Sequence, residues 1–374
     1  MNVNSVIELT RYLVSINTIN PPGNEAVVAK YIGQLLSENG FITDYILYDE
    51  NRLHLVAKKN CSQGKLPIVF SGHLDTVPLG EGFWNTNPFL GEQKDGKIYG
   101  RGTTDMKGGV AAIVVAAIQS TKKNPDAAVC LIFTADEETG CNGAQHLIEH
   151  YLDFVTPRGI IIAEPTANVP AIGHKGGLYM NVIAKGKTAH SSMSHLGDNA
   201  IYKVAEAVLK VKDFIFTDKE DSLLGFPTLN VGKIDGGLNL NSVPDHAEFT
   251  IDARTTTNTD HTKLISDLKK QFGSDLTIEE LVNLTATSTS EENTFTQLVY
   301  SCCEKETHEI ELPKSMPYLT DGSVLQPAFN GVPTIILGPG QPDMAHKIDE
   351  FCYIDKLERA VEIYSEIILK GSKL

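Results

Sequence analysis

Residues 130–140 read CLIFTADEETG, an apolar run that ends on three consecutive acids, Asp136, Glu137 and Glu138. A short apolar run bounded by turn residues is the pattern of a buried strand, so the acids stand where that strand leaves its sheet. Three adjacent carboxylates repel one another. Two unit charges about 4 Å apart interact by roughly 4 kcal/mol at an effective dielectric near 20. Unless all three acids point into water, positive charge must lie nearby.

Runs of the same kind recur along the chain, as LPIVFSG (66–72), AAVCLIFTA (127–135), RGIIIAE (158–164) and VPTIILGPG (332–340). Helical patterns lie between them, notably MKGGVAAIVVAAIQS (106–120) and NGAQHLIEHYL (142–152). Apolar strands alternating with helices predict an α/β domain whose sheet is covered on both faces. From about Gly176 to Leu284 the strands instead alternate apolar and polar residues, as in LYMNVIAKGKTAH and HAEFTIDART. Alternation means a sheet with one solvated or helix-free face. The expected organisation is a first domain over residues 1–175 and 289–374, interrupted by an α+β insertion over 176–288. TATSTSEENT (285–294) is the connecting segment.

In an open α/β sheet, ligands bind beyond the carboxyl ends of the strands. The residues just past the apolar runs are all of one chemical kind. His73 and Asp75 come after the first run, Asp105 after KIYGRGTT, Glu137 and Glu138 after CLIFTAD, Glu164 after GIIIA, and His346 after TIILGPGQPDMA. Singly, each has an ordinary explanation: a surface turn for His-x-Asp, a solvated helix start for Glu-Glu, an N-cap for Asp105. Five strand ends all carrying His, Asp or Glu point to a divalent metal centre. Imidazole and carboxylate donors without cysteine suit Zn²⁺, with Co²⁺ or Mn²⁺ as substitutes. Two histidines and three or four carboxylates exceed the three protein ligands of a single catalytic zinc, so two ions per chain are expected.

The bulk properties narrow the partners. With 374 residues, 41% of them hydrophobic, the chain is long enough for two cores. A net charge of −15 disfavours a nucleic-acid backbone or an anionic membrane as partner. The N-terminal segment has Val6, Leu9, Leu13 and Ile16 on one helical face and no export pattern, and no apolar run spans a membrane. Six cysteines without a C-x-x-C pair read as reduced thiols, and the expected location is cytoplasmic. Two tempting strings fail as phosphate loops. GKT at 186–188 lacks the leading glycine, since residue 181 is Asn, and GRGTTDMKGG has Asp105 where a third glycine belongs.

In order and spacing, SGHLDTVP, GRGTTDMKGG, TADEETG, AEPT and GPGQPDMAHKIDEF resemble the co-catalytic zinc peptidase family that includes acetylornithine deacetylase, succinyl-diaminopimelate desuccinylase, aminoacylase and glutamate carboxypeptidase. The resemblance covers nearly the whole chain. It implies a catalytic domain with a mixed central sheet flanked by helices, and a ferredoxin-like insertion acting as lid and dimer contact. It makes Asp105 the carboxylate that bridges both ions, with His73 and Glu164 completing one site and Glu138 and His346 the other. Glu137 becomes the general base, and Asp75 the acid that accepts the N–H of His73. A cis peptide after Asp105 is often found in the family.

In the insertion, the resemblance makes His190 of GKTAHSS the residue that reaches the partner subunit's active site in a homodimer and stabilises the oxyanion. The ordinary alternative is a histidine that caps a turn. Asn241 and Arg254 become the grip on the substrate carboxylate, against the alternative of a surface ion pair for Arg254. The implied reaction is hydrolysis of an N-acyl amino acid of the N-acetylornithine or N-succinyl-diaminopimelate type. HKIDEF is similar to the desuccinylases and GPGQPDMAH to the acetylornithine deacetylases, while YLTDGSVL (318–325) departs from both. A dipeptidase or carboxypeptidase using the same chemistry, or a binding protein that hydrolyses nothing, are the alternatives. For Asp136 the sequence offers only a turn or helix-start residue.

Overall fold

The computed structural model describes residues 5–61, 65–308 and 314–373. The chain forms two compact units, the described residues of Met1–Gly173, Ser288–Lys314 and Thr320–Leu374 in the first, and His174–Thr287 with Ser315–Leu319 in the second.

The first unit is built on a six-stranded mixed sheet in the order Ile42–Asp49, Arg52–Lys59, Val129–Thr134, Ile68–His73, Gly159–Ile162 and Thr334–Ile336. The last four strands are parallel, and the Ile42–Lys59 hairpin adds an antiparallel edge. All residues of Ile68–His73 and Val129–Thr134 are buried, as continuous apolar runs require in a sheet covered on both faces. On one face Val69, Cys130, Ile132, Ile160 and Ile162 pack with Leu147, Leu325 and Phe329. On the other lie the helices Lys107–Lys123 and Ile354–Gly371, with Tyr364 against Phe70 at a ring separation of 5.2 Å.

Helix Lys107–Lys123 is buried on nearly every side, because a third layer, helix Val6–Ser15, packs against it. Its position depends on Gly109, where a Cβ would stand 2.4 Å from the carbonyl oxygen of Ala163. A similar approach brings helix Asn142–His150 onto the end of Val129–Thr134. A Cβ on Gly143 would lie 1.4 Å from the Ala135 carbonyl oxygen.

The second unit is a four-stranded antiparallel sheet, ordered Thr228–Gly236, His246–Thr255, Gly176–Lys185 and Leu276–Leu284. Helices Ala200–Lys212 and His261–Phe272 bury Val204, Ala207, Leu264 and Leu268 against Met180, Val182, Phe249 and Ile251. The alternation read in the sequence is this inward-facing set. Asn199 and Asp260 start the two helices by accepting backbone N–H groups, at 2.9 Å from Ile201 and 3.0 Å from Lys263. The βαββαβ succession and its strand order make this an α+β, ferredoxin-like unit. The sequence pattern places residues 289–374 wholly in the first unit, yet Ser315–Leu319 groups with the second. Among the described residues no helix is long and apolar enough to cross a membrane.

Candidate active site

The residues expected at the strand ends of the first unit come together. His73 is the last residue of its strand, and Glu137, Glu138 and Glu164 follow theirs by two to four residues. Asp105 lies in the turn before helix Lys107–Lys123, and its peptide to Met106 is cis. Asp105 stands between the two histidines and turns one oxygen to each. Its Oδ1 is 3.1 Å from His73 Nε2, and its Oδ2 is 3.3 Å from His346 Nε2. Glu164 Oε1 is 3.7 Å from His73 Nε2, and Glu138 Oε2 is 3.1 Å from His346 Nε2. Glu137 converges with Glu164 on His73, their ligand atoms all lying within 4.8 Å of one another.

The charges of this cluster do not balance within the protein. Burial pushes Glu137 and Glu164 well above the usual carboxylate range, and burial with the nearby Asp105 raises Glu138. Burial alone would lower His73, but Asp105, Asp75 and the surrounding acids outweigh it and raise it well above its ordinary value. Hydrogen bonds to Asp105 and Glu138 push His346 up to about 10. The acids thus demand more positive charge than two imidazoles supply.

The donor set fits divalent ions. Donor atoms 3.1–3.7 Å apart match the edge of a tetrahedron with bonds of about 2.1 Å, roughly 3.4 Å. Glu138 Oε1 is buried with no hydrogen-bond partner, an acceptor left open beside the cluster.

Around the donors stands a polar frame. The Asp75 carboxylate, wholly buried, accepts the backbone N–H groups of Glu137 and Glu138, each at 3.1 Å, and the amide of Asn20 at 2.9 Å. His73 Nδ1 is 3.0 Å from the carbonyl oxygen of Asp75 and 3.5 Å from its carboxylate. The ring is therefore oriented first by the backbone of Asp75, and the carboxylate mainly fixes the Glu137–Glu138 turn. Asp136 occupies the left-handed region with φ of 63°. Its carboxylate accepts from Asn20, Tyr48, Thr139 and Arg52, and Arg52 in turn pairs with the buried Glu25 at 2.6 Å. Cys141 Sγ lies 3.4 Å from Glu137 Oε1, and Asp321 joins these two within 4.8 Å while accepting the Thr134 hydroxyl at 2.6 Å.

Asn20, Arg52, Cys141 and Asp321 are members of the site that the sequence motifs do not point to. Of these only Asp321 carries a signal, as part of the YLTDGSVL string that departs from the pattern of both enzyme types.

The other three expected residues lie in the second unit. His190 is exposed, and its Nδ1 is 2.7 Å from Ser192 Oγ and accepts the Ser192 N–H at 3.2 Å, so it caps the turn that starts at Ser191. The Asn241 carbonyl accepts the Ser191 N–H at 2.9 Å, which brings Asn241 beside His190. Arg254 forms a two-armed pair with Asp252, at 2.8 and 3.0 Å, and lies over the ring of Tyr179.

A mixed α/β sheet with histidines and carboxylates converging at its strand ends defines a metallohydrolase architecture. The sequence profile of the peptidase family M20/M25/M40 matches residues 69–370, and the chain belongs to that family of enzymes. A probable succinyl-diaminopimelate desuccinylase of Staphylococcus epidermidis is 33% identical over 96% of both chains. An acetylornithine deacetylase of Vibrio atlanticus is 31% identical over 99% of both. In fold, the chain is similar to an M20 family metallo-carboxypeptidase of Sulfolobus solfataricus, with a TM-score of 0.80, 18% identity, and coverage of 99% of this chain and 98% of that one.

Proposed function

We propose that the protein hydrolyses the amide bond of an N-acyl amino acid of the N-acetylornithine or N-succinyl-diaminopimelate type, releasing a carboxylic acid and a free amino acid. The observation that carries this reading is the Asp105 carboxylate set between His73 and His346, with Glu137 beside it. His73, Glu164 and Asp105 would hold one divalent ion, and Asp105, Glu138 and His346 a second, with Zn²⁺ first and Co²⁺ or Mn²⁺ as substitutes. When bound, two such ions supply Lewis-acid polarisation of water and of the amide carbonyl.

The proton traffic belongs to Glu137. Its carboxylate takes a proton from the attacking water as the new C–O bond forms, and delivers it to the departing nitrogen as the C–N bond breaks. The Asp75 contacts to the N–H groups of Glu137 and Glu138 hold those adjacent side chains apart in their separate tasks.

In the second unit the Ser191 N–H bond to the Asn241 carbonyl sets His190 and Asn241 side by side, which supports a joint role at the substrate. With Nδ1 engaged by Ser192, His190 has Nε2 for a developing oxyanion. Arg254 is the counterpart for a substrate carboxylate, which would replace Asp252 in its bidentate grip. A homodimer through this unit accounts for two fully exposed leucines, Leu238 and Leu240, in the loop that leads to Asn241. Six free cysteines suit a reducing, cytoplasmic setting.

The test is turnover by the Zn²⁺- and Co²⁺-loaded protein on N-acetylornithine, N-succinyl-diaminopimelate and a dipeptide panel. One acyl substrate should exceed every dipeptide in kcat/KM by an order of magnitude or more. Preference for a dipeptide would move the protein to the peptidases, and indifference of all turnover to chelators would reject the metal reading.

A further inference from the structure

We propose that Glu350 is a positioning residue for the metal centre. Its buried carboxylate fastens the loop that carries Asp105 to the segment that carries His346, and so sets the half-site of Asp105, Glu138 and His346. This rests on the two-ion reading above.

Glu350 is completely buried and touches none of the expected donor atoms, yet it is tied to both sides of them. Its Oε1 accepts the backbone N–H groups of Gly102 at 3.1 Å, Thr104 at 2.8 Å and Asp105 itself at 3.1 Å. Its Oε2 accepts from Gly102 N at 3.0 Å and from the guanidinium of Arg101 at 2.7 Å. The amides of Gly102, Thr104 and Asp105 turn inward around one carboxylate as a concave nest, while the Thr103 N–H turns away to the Gly100 carbonyl. Gly102, with φ of 88°, gives this loop its curvature.

The same carboxylate belongs to the segment that carries His346, four residues earlier. That segment is tightly folded, with His346 and Asp349 both in the left-handed region at φ of 63° and 54°. Arg101 also donates to the carbonyl of Lys347 at 3.2 Å, and the Thr104 hydroxyl to that of Phe351 at 2.6 Å. Asp105 and His346 are 241 positions apart in the sequence, and these bonds make their loops one body.

The chemistry of the nest admits only a carboxylate of this length. Glutamine offers one acceptor oxygen and two donor hydrogens, so its NH₂ would face either Arg101 or the loop amides. Aspartate is one methylene short. A substitution therefore moves Asp105 through its own backbone N–H, and moves it relative to His346. The His73–Glu164 side is held separately, by the parallel pairing of strands Ile68–His73 and Gly159–Ile162.

The experiment prepares wild type, Glu350→Gln, His346→Ala and the double variant free of metal. Each is titrated with Zn²⁺ against a chromophoric competitor, and thermal unfolding of the metal-free forms is followed alongside. Wild type binding fewer than two ions would overturn the two-ion reading itself. Given two ions, Glu350→Gln should weaken the one at Asp105, Glu138 and His346 about 10- to 100-fold, and the other, which shares Asp105 but keeps His73 and Glu164 on their paired strands, by clearly less. The double variant should add to His346→Ala only that smaller effect on the remaining ion, and not a second loss of about 10- to 100-fold. Two unchanged affinities with a lower unfolding temperature would show a purely structural role, and equal weakening of both ions would remove the half-site assignment; either overturns the inference. If Glu350→Gln does not fold, Arg101→Lys, which keeps the charge and loses the fork, should weaken the same ion. Two unchanged affinities in that folded variant would equally overturn it.

Discussion

Glu137 and Glu138 are adjacent in the chain and join the cluster differently, Glu137 with His73 and Glu164, Glu138 with His73 and Asp105 and at 3.1 Å from His346. What separates them is the backbone just before. Asp136 takes a left-handed conformation that Asp tolerates better than most residues, and its carboxylate is caught by Asn20, Tyr48, Arg52 and Thr139. The acid that reads in the sequence as a mere turn residue is thus the fixed point from which Glu137 is aimed. Glu137→Gln keeps the shape and removes the basic oxygen. Turnover should fall by about 10²- to 10⁴-fold with metal content and unfolding temperature near wild type. Near-normal turnover, or loss of bound metal, would remove Glu137 from the role of base.

At the scale of elements, two helices bear on the strand ends through glycine. Helix Asn142–His150 presses on Ala135, the residue before the acids, and the 1.4 Å that a Cβ at Gly143 would leave to the Ala135 carbonyl cannot be relieved by a rotamer, since the opposing atom is backbone. Gly143→Ala should therefore cost well over the usual gain in helix propensity, about 1–3 kcal/mol or more as overpacking does, read as a lower midpoint in urea. An unchanged midpoint would mean that the helix can slide. These elements show in the sequence because buried strands and this helix have local signatures. The reasons for their exact seating are not local. Gly143 in NGAQHLIEHYL looks like a poor helix residue until Ala135 is placed over it. Asn20, more than fifty residues from any donor it serves, has no periodicity to betray it. The His, Asp and Glu positions are legible because they recur at strand ends; the frame behind them is not, because hydrogen bonds between distant loops leave no spacing in the chain.

At the scale of the whole molecule, each unit contains a histidine held neutral by burial. His54 is pushed down to about 3, by burial and then by His146 and Arg52, and His174 to about 4 by burial. Both lie below the ordinary value of about 6.5, so below that pH the unfolded chain takes up protons that the folded chain refuses. The stability that these two groups contribute is full above pH 6.5 and falls as the pH drops toward these values, by up to about 1.4 kcal/mol per pH unit for each group. Urea midpoints of the metal-free protein from pH 7.5 to 5 should decline more steeply for wild type than for His54→Gln. Equal slopes would mean that His54 does not contribute.

The first unit is discontinuous in sequence, and this gives its synthesis an order. A ribosome completes Gly176–Lys185 through Leu276–Leu284 as one uninterrupted stretch, so the inserted sheet has all its strands while the sheet around it still waits for Thr334–Ile336. By then the nascent chain already carries Asp105, Glu137, Glu138 and Glu164 with only His73 among them. The second imidazole, and the Glu350 that fastens it, are translated last. The donor set is therefore complete in the chain only once His346 has been made, when every strand of the inserted sheet has already been synthesised.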